Sequence, residues 1–448
     1  MPGRTLQNYV GLTRHGSSNN HYSIQSYQGI QKKPAVSMLN KVQEFFSNNF
    51  IGWLIHDWRV KPPFKYPAIH NSIHDILKPE DSGPVIIGVA ADWATDTVQS
   101  EFIGKSIKDK NPDYTVHLGD TYFSGDPKEM KANYWSGESN EGLWPRGRNG
   151  SFILIGNHEM FSSGSAYIDM IRDPAKKFGI RSPDTEIFTG QEAPCFCLRT
   201  DHWMILGLDT GYQSLKTGIL RFNPNNNNLN LPDSVADWIR DKVLADGNKR
   251  GIIVLTHHQY VTAFHGESEF TNPALQLRKL FPDSKGILWI WGHEHRFSMY
   301  GKNELSEKHI PAYGRCIGNG GMPDEHTIGR FVIDSEAKKR KLVLYDKRTA
   351  DSIPLSDGIG SKMQDVGFNG YAIIQLDKEK AQITYYASYK KNIDSDPGRD
   401  NPVFRESWIS DGISGQIVFE NAEDLTNSND QENRISWFGA IDPVLVSQ

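Results

Sequence analysis

Two carboxylates, one carboxamide and three imidazoles recur along this chain in an ordered grammar: Asp92, Asp120, Asn157, His257, His293 and His295. Asp120 follows Gly119, Asn157 lies in Gly156-Asn157-His158-Glu159, His257 precedes His258, and His293 and His295 flank Glu294 within Gly292-His293-Glu294-His295. These are hard and borderline donors, suited to Mn, Fe or Zn and unlike a thiolate site. One metal takes about four to six ligands, so a set of this size with a shared carboxylate points to two metals. A lone Gly-Asp or His-x-His occurs by chance. The signal is the ordered set, with every member at the end of a short apolar run.

Those runs define the elements that must position the donors. Residues 84–92, 114–120, 151–159, 202–210, 251–258 and 286–295 each pass from a Val-, Ile- or Leu-rich stretch into a polar residue, followed by a turn. Short apolar runs bounded by breakers read as buried strands. Helical patterns lie between them, at 96–110 with Asp96 and Gln99 at N-cap and N3 spacing, and at 233–245, closed by Gly247. Strands alternating with helices give an α/β layered domain, whose sites form outside the carboxyl ends of the strands. Five of the six runs end in the proposed donors; the run 202–210 ends in Thr210.

Beyond His295 the pattern changes to strands at 330–334 and 341–346 and a hairpin at 370–387 turning at 377–379. Residues 392–401 and 420–433 read as loops, and the basic run 338–341 as a solvated hairpin turn. Residues 38–58 read as a helix in a polar N-terminal segment. The expected organisation is an N-terminal arm with a helix (1–83), a main domain (84–390) and a C-terminal extension (391–448).

Composition narrows the function classes. The chain has 448 residues, 38% hydrophobic and 23% charged, which is ordinary for a folded protein. The net charge of -5 draws it to neither nucleic acid nor anionic lipid. Three cysteines (Cys195, Cys197, Cys316) make no disulfide framework and read as buried thiols suited to a reducing compartment. No signal-peptide pattern or apolar stretch of membrane-spanning length is visible. A cytoplasmic protein is expected; oligomeric state is not legible.

The order D, GD, GNHE, H, GHEH resembles the calcineurin-like metallophosphoesterase superfamily, over about half the chain, with Trp93 similar to the purple acid phosphatase branch. The resemblance implies a four-layer αββα sandwich with two mixed β-sheets. It implies a first metal held by Asp92, Asp120 and His295 and a second by Asp120, Asn157, His257 and His293, with Asp120 bridging. His158 follows Asn157 where the family uses a histidine to contact the transferring phosphoryl group or protonate the leaving oxygen. Catalytic roles therefore fall to His158, Asp120 and Asn157, and the cofactors are two divalent or trivalent ions (Mn, Fe or Zn). The chemistry of two such cations, which activate water by metal-bound hydroxide and clamp a phosphoryl group, leads independently to phosphate-ester hydrolysis. Small phosphomonoesters or phosphodiesters are expected over nucleic acid.

Two departures stand out. Superfamily members place a histidine two residues after the first Asp, where this chain has Ala94; the purple acid phosphatase tyrosine falls at Phe123. Tyr122, one residue early, and Asp96 are the nearby substitutes, although Asp96 reads as an N-cap and Tyr122 as pocket lining. The missing ligand also raises an alternative, a catalytically degenerate fold acting as a binding or scaffold protein. His258, Arg296 and His265 are candidate substrate contacts, and Glu159 a candidate to orient His158. His258 reads as the less favoured ligand of its pair. Gly318-Asn319-Gly320-Gly321 reads as a turn, since no Lys-Ser/Thr follows it.

Overall fold

The computed structural model describes residues 64–70, 72–78, 83–122, 124–135, 144–172, 191, 193–212, 214–215, 229–265, 267–322, 332, 334–356, 361–390, 397–426, 435–437 and 441, together with strands at 9–14 and 22–27. Of the donor-bearing strands, β1 (Val85–Ala90), β2 (Tyr114–His117) and β3 (Gly150–Ile153) pair in parallel. Antiparallel strands Asn369–Asp377, Lys380–Tyr389, Arg399–Ser410 and Ile417–Asp424 extend from β1 and complete a seven-stranded sheet. β4 (Trp203–Gly207), β5 (Gly251–Thr256) and β6 (Ile287–Trp291) are the parallel centre of a nine-stranded sheet. A four-stranded sheet joins Tyr9–Arg14, Tyr22–Tyr27, Thr349–Ser356 and Ser361–Gly367.

The two large sheets face each other across one apolar core, in which Ile87, Val89, Val116 and Phe152 of the first meet Phe196, Ile205, Ile253 and Leu288 of the second. Helices cover both outer faces. Ile103 and Ile107 of helix Val98–Asp109 and Met170 of helix Ser165–Arg172 pack on the first sheet. Val235, Trp238, Ala274 and Leu277 of helices Asp233–Trp238 and Asn272–Leu280 pack on the second. This is the expected four-layer αββα sandwich of two mixed sheets. It explains the uninterrupted apolar runs: strands covered on both faces need no polar side. Cys195 and Cys197 face the helical layer while Phe196 between them faces the inter-sheet core, as strand alternation requires. All three cysteines are buried and unpaired.

A buried ion pair ties the sheets together. Arg315, on strand Ala312–Ile317, donates from Nε and Nη2 to the two carboxylate oxygens of Glu406, on strand Arg399–Ser410, at 2.8 and 2.7 Å. Nη1 of Arg315 donates to the carbonyls of Tyr300 and Gly314, and the Tyr385 hydroxyl donates to Glu406. Neither charged side chain is exposed.

Several expectations are corrected. The helix after β1 is capped by Thr97, whose hydroxyl accepts the Ser100 N–H at 3.1 Å, and Asp96 sits outside it at φ 54°. Residues 417–424, expected as loop from Glu420 onward, form an edge strand whose apolar run stops at Phe419 and whose side chains beyond it are mostly exposed. Strand pairing also begins at Arg399, inside the expected 392–401 loop. Lys338 and Lys339 belong to helix Asp334–Lys339, not to a hairpin turn. The helix expected at 38–58 and most of the strand expected at 330–334 lie outside the described residues.

Candidate metal centre

The strand ends converge because their loops are stitched to one another through the donor side chains. Asp92, Asp120 and His293 all adopt left-handed backbone, at φ 54°, 71° and 65°. That conformation costs non-glycine residues roughly 1–2 kcal/mol each and persists only where neighbours over-determine it. Asp92 Oδ2 accepts the His293 N–H at 2.8 Å, and Asp120 Oδ1 accepts the His158 N–H at 3.0 Å. The motif glycines make this approach possible: a Cβ at Gly156 would lie 2.1 Å from Asp120 Oδ1, and one at Gly292 2.6 Å from Asp92 Oδ2. Gly320 and Met322 donate to the carbonyls of Ala91 and Asp92, so the Gly-rich segment after strand Ala312–Ile317 buttresses the Asp92 loop.

Glu159 holds the other half in place. Fully buried, it accepts the N–H groups of Gly156 (2.8 Å), Thr121 (2.6 Å) and Asp120 (3.2 Å). It orients the Asp120 loop; no Glu159–His158 side-chain bond is present among the described contacts. Burial, with the Asp120 charge adding to it, pushes its carboxyl up to about 7.

The donors gather as follows. Asp92, Asp120 and His257 place ligand atoms within 4.8 Å of one another, as do His257, His258 and His293. His257 Nε2 is 3.0 Å from Asn157 Oδ1 and 3.3 Å from Asp120 Oδ1, and its Nδ1 is 3.0 Å from the Leu118 carbonyl. That carbonyl can only accept, so Nδ1 carries a proton and Nε2 is the atom turned to the centre. His295 Nε2 is 3.5 Å from Asp92 Oδ1. Burial opposes charge on both Asp120 and His257, but their mutual attraction prevails: Asp120 is held well below the usual carboxylate range and His257 is pushed up to about 9. Burial, with the His257 charge adding to it, lowers His293 to about 4.

Tyr122 reaches this centre. Its hydroxyl donates to Asp92 Oδ1 at 2.8 Å and lies 3.0 Å from His295 Nε2 and 3.3 Å from Asp120 Oδ2. The reason is local: Ala94 forms a bridge with Thr121, and the Tyr122 N–H donates to the Ala94 carbonyl at 3.1 Å. The residue beside the missing histidine is thus paired with the Asp120 loop, which brings the phenol to Asp92.

The family profile for calcineurin-like phosphoesterases matches residues 55–297, which is 243 of 448 residues. The chain belongs to the calcineurin-like phosphoesterase family. Among solved structures it is similar to PhoD (9% identity, TM-score 0.44, 77% of this chain and 73% of that chain). It is also similar to purple acid phosphatase PPD1 from yellow lupin (Lupinus luteus) seeds (13%, TM-score 0.38, 69% of this chain and 52% of that one). No curated protein matches the chain in sequence. The calcineurin-like phosphoesterase family implies metal ions, and the donor set fits them: buried Asp92, Asp120 and His257 and half-buried His293 bring carboxylates and imidazoles together.

Other sequence candidates are placed less favourably. Arg296 is 1% exposed, with its guanidinium 3.8 Å over the Phe264 ring and Nη2 3.3 Å from Glu267, so it is turned into the protein rather than toward a substrate. His265 is half-buried in the loop that carries Phe264. His158 keeps 19% of its side chain exposed, against Tyr122 and Phe161. Sequence reading passed over the anchoring role of Glu159 and the contact of Thr210 with His258, because both are bonds to backbone or to a neighbouring strand end and leave no spacing signature.

Proposed function

We propose that this calcineurin-like phosphoesterase hydrolyses small phosphate esters at a binuclear centre. Asp92, Asp120 and His295 would hold one ion and Asp120, Asn157, His257 and His293 the other. The observation that supports this most is the placement of the Asp120 carboxylate. Oδ1 faces His257 at 3.3 Å and Oδ2 faces the Tyr122 hydroxyl at 3.3 Å, the same hydroxyl that touches Asp92 and His295. One carboxylate therefore addresses both ligand groups, as a bridging ligand must. The ions, when bound, would supply Lewis acidity for activating water and offsetting phosphoryl charge.

The protein's own groups supply the rest. His158, with its backbone N–H on Asp120 and its ring at the open side of the centre, is placed to donate a proton to a leaving oxygen. The Leu118 carbonyl, accepting from Nδ1, aims the Nε2 of His257 at the centre. Tyr122 holds Asp92 and His295 together where family members use a histidine. His258 contributes a further polar ring beside His293, centroids 4.5 Å apart. A cytoplasmic setting is part of the proposal and rests on the scarcity of cysteine. The test is hydrolysis of p-nitrophenyl phosphate and bis-p-nitrophenyl phosphate by metal-stripped protein titrated with Mn, Fe, Zn and Co, with Asn157→Ala as control. Metal-dependent turnover lost in the control is expected. A folded protein inactive with every metal would count instead for the degenerate, binding role.

A further inference from the structure

Strand β2 ends in a buried imidazole that is not among the proposed ligands. Val116 and Leu118 face the inter-sheet core, so His117 between them faces the helical layer. There Trp93, Tyr134 and Trp144 stand edge-on around its ring, with centroids 6.2, 5.3 and 5.0 Å away, and the residue is fully buried. Its Nε2 finds no hydrogen-bond partner among the described residues. An apolar ring would fill this box without burying a polar atom, so the imidazole is explained by the bond it does make. That bond is at Nδ1, which accepts the Gly119 N–H at 3.2 Å.

The Gly119 N–H and the Leu118 carbonyl are the two ends of one planar peptide unit. The carbonyl end accepts from His257 Nδ1 at 3.0 Å. Holding the N–H therefore fixes the direction of the carbonyl, and with it the imidazole whose Nε2 faces the centre. The next peptide follows: the Gly119 carbonyl accepts the Asp92 N–H at 3.1 Å before the chain passes into Asp120 at φ 71°. Sheet pairing does not supply this control, because the ladder bonds of β2 stop at the His117 carbonyl and the Leu118 N–H. Gly119, at φ 105°, also has backbone conformations closed to other residues. We propose that His117 is a positioning residue that, by gripping the Leu118–Gly119 peptide, aligns His257 and the Asp92 loop for the two ions. The proposal rests on the metal-centre reading given above.

The experiment separates holding from filling. His117→Asn places an oxygen where Nδ1 stands and keeps the acceptor, but leaves the aromatic box part-empty; His117→Phe fills the box and has no acceptor. His117→Gln carries its oxygen further out, at the place of Nε2, and stands in should the phenylalanine variant not fold. Full-length wild type and variants are compared by urea unfolding of chelator-treated protein and by zinc competition against a chromophoric chelator. His117→Asn is expected to unfold at lower urea than wild type yet bind zinc as wild type does. His117→Phe is expected to unfold at or above the wild-type midpoint yet bind both ions roughly 10-fold more weakly, and His117→Gln to bind them as weakly. Zinc affinity that follows stability across the set, or wild-type affinity in His117→Phe and His117→Gln, would overturn the proposal while leaving the metal centre standing. A wild type that takes up no zinc would sink the metal-centre reading and this proposal together. Failure of the phosphoesterase reading shows separately, as bound zinc without hydrolysis.

Discussion

Replacing Glu159 tests whether the centre is built by its supporting hydrogen bonds or only by its ligands. The carboxylate accepts three backbone N–H groups, two from the Asp120 loop and one from Gly156. Alanine leaves three buried donors without a partner. At about 1–3 kcal/mol for each, partly relieved by water entering the space, the cost is roughly 2–5 kcal/mol of stability. Asp120 at φ 71° loses the anchors that hold it there, and loss of such outer contacts weakens metal binding roughly 10- to 100-fold. Glutamine is the informative variant. It matches the shape and its oxygen can still accept from Gly156 and Asp120, but its NH₂ would face the Thr121 N–H, so it should fall between alanine and wild type. The assays are urea unfolding of chelator-treated protein and zinc competition against a chromophoric chelator, both at pH 8, above the value near 7 to which burial pushes this carboxyl. Wild-type stability and zinc affinity in Glu159→Gln would refute the reasoning.

Three further outcomes are expected. In the inter-sheet pair, Arg315→Met and Glu406→Leu should each cost about 3–5 kcal/mol by leaving a buried charge alone, while the double variant costs less than either; additive losses in urea unfolding would refute a coupled pair. Asp209 is pushed up to about 7 by burial, with its Oδ1 accepting the Gly211 and Tyr212 N–H groups. A carboxyl whose folded pKa is raised loses stability as pH climbs from about 4 to about 7, so Asp209→Asn should be more stable than wild type at pH 8 by up to ~4 kcal/mol and equal to it near pH 4. A pH-independent difference would contradict this. Tyr122→Phe removes the hydroxyl shared by Asp92, Asp120 and His295 and should weaken one of two metal sites about 10-fold while sparing the other, as two-site calorimetry would read. Equal weakening of both sites, or of neither, would argue against the proposed division of ligands.

The strands and their donors were legible because strands buried on both faces must be continuous apolar runs, and a donor set for metal must stand at their ends. What escaped the sequence depended on direction. Arg296 adjoins His295 in sequence, but its side chain turns under Phe264, and adjacency does not tell which way a strand-end residue faces. Tyr122 was one residue out of register for the expected role, and only the Ala94–Thr121 pairing brings its hydroxyl to Asp92. Asp96 had the composition of a cap but takes a left-handed turn before the helix, leaving Thr97 to cap it. The edge strand Ile417–Asp424 is mostly exposed along its length, so no hydrophobic periodicity marked it.

The most direct test of the central claim is metal stoichiometry measured alongside hydrolysis of p-nitrophenyl phosphate and its bis ester during a metal titration of stripped protein. The binuclear reading predicts activity that rises to a plateau at two ions per chain and is absent from Asn157→Ala. Folded protein that binds two ions without hydrolysing either ester, or that reaches full activity at one ion, would contradict it.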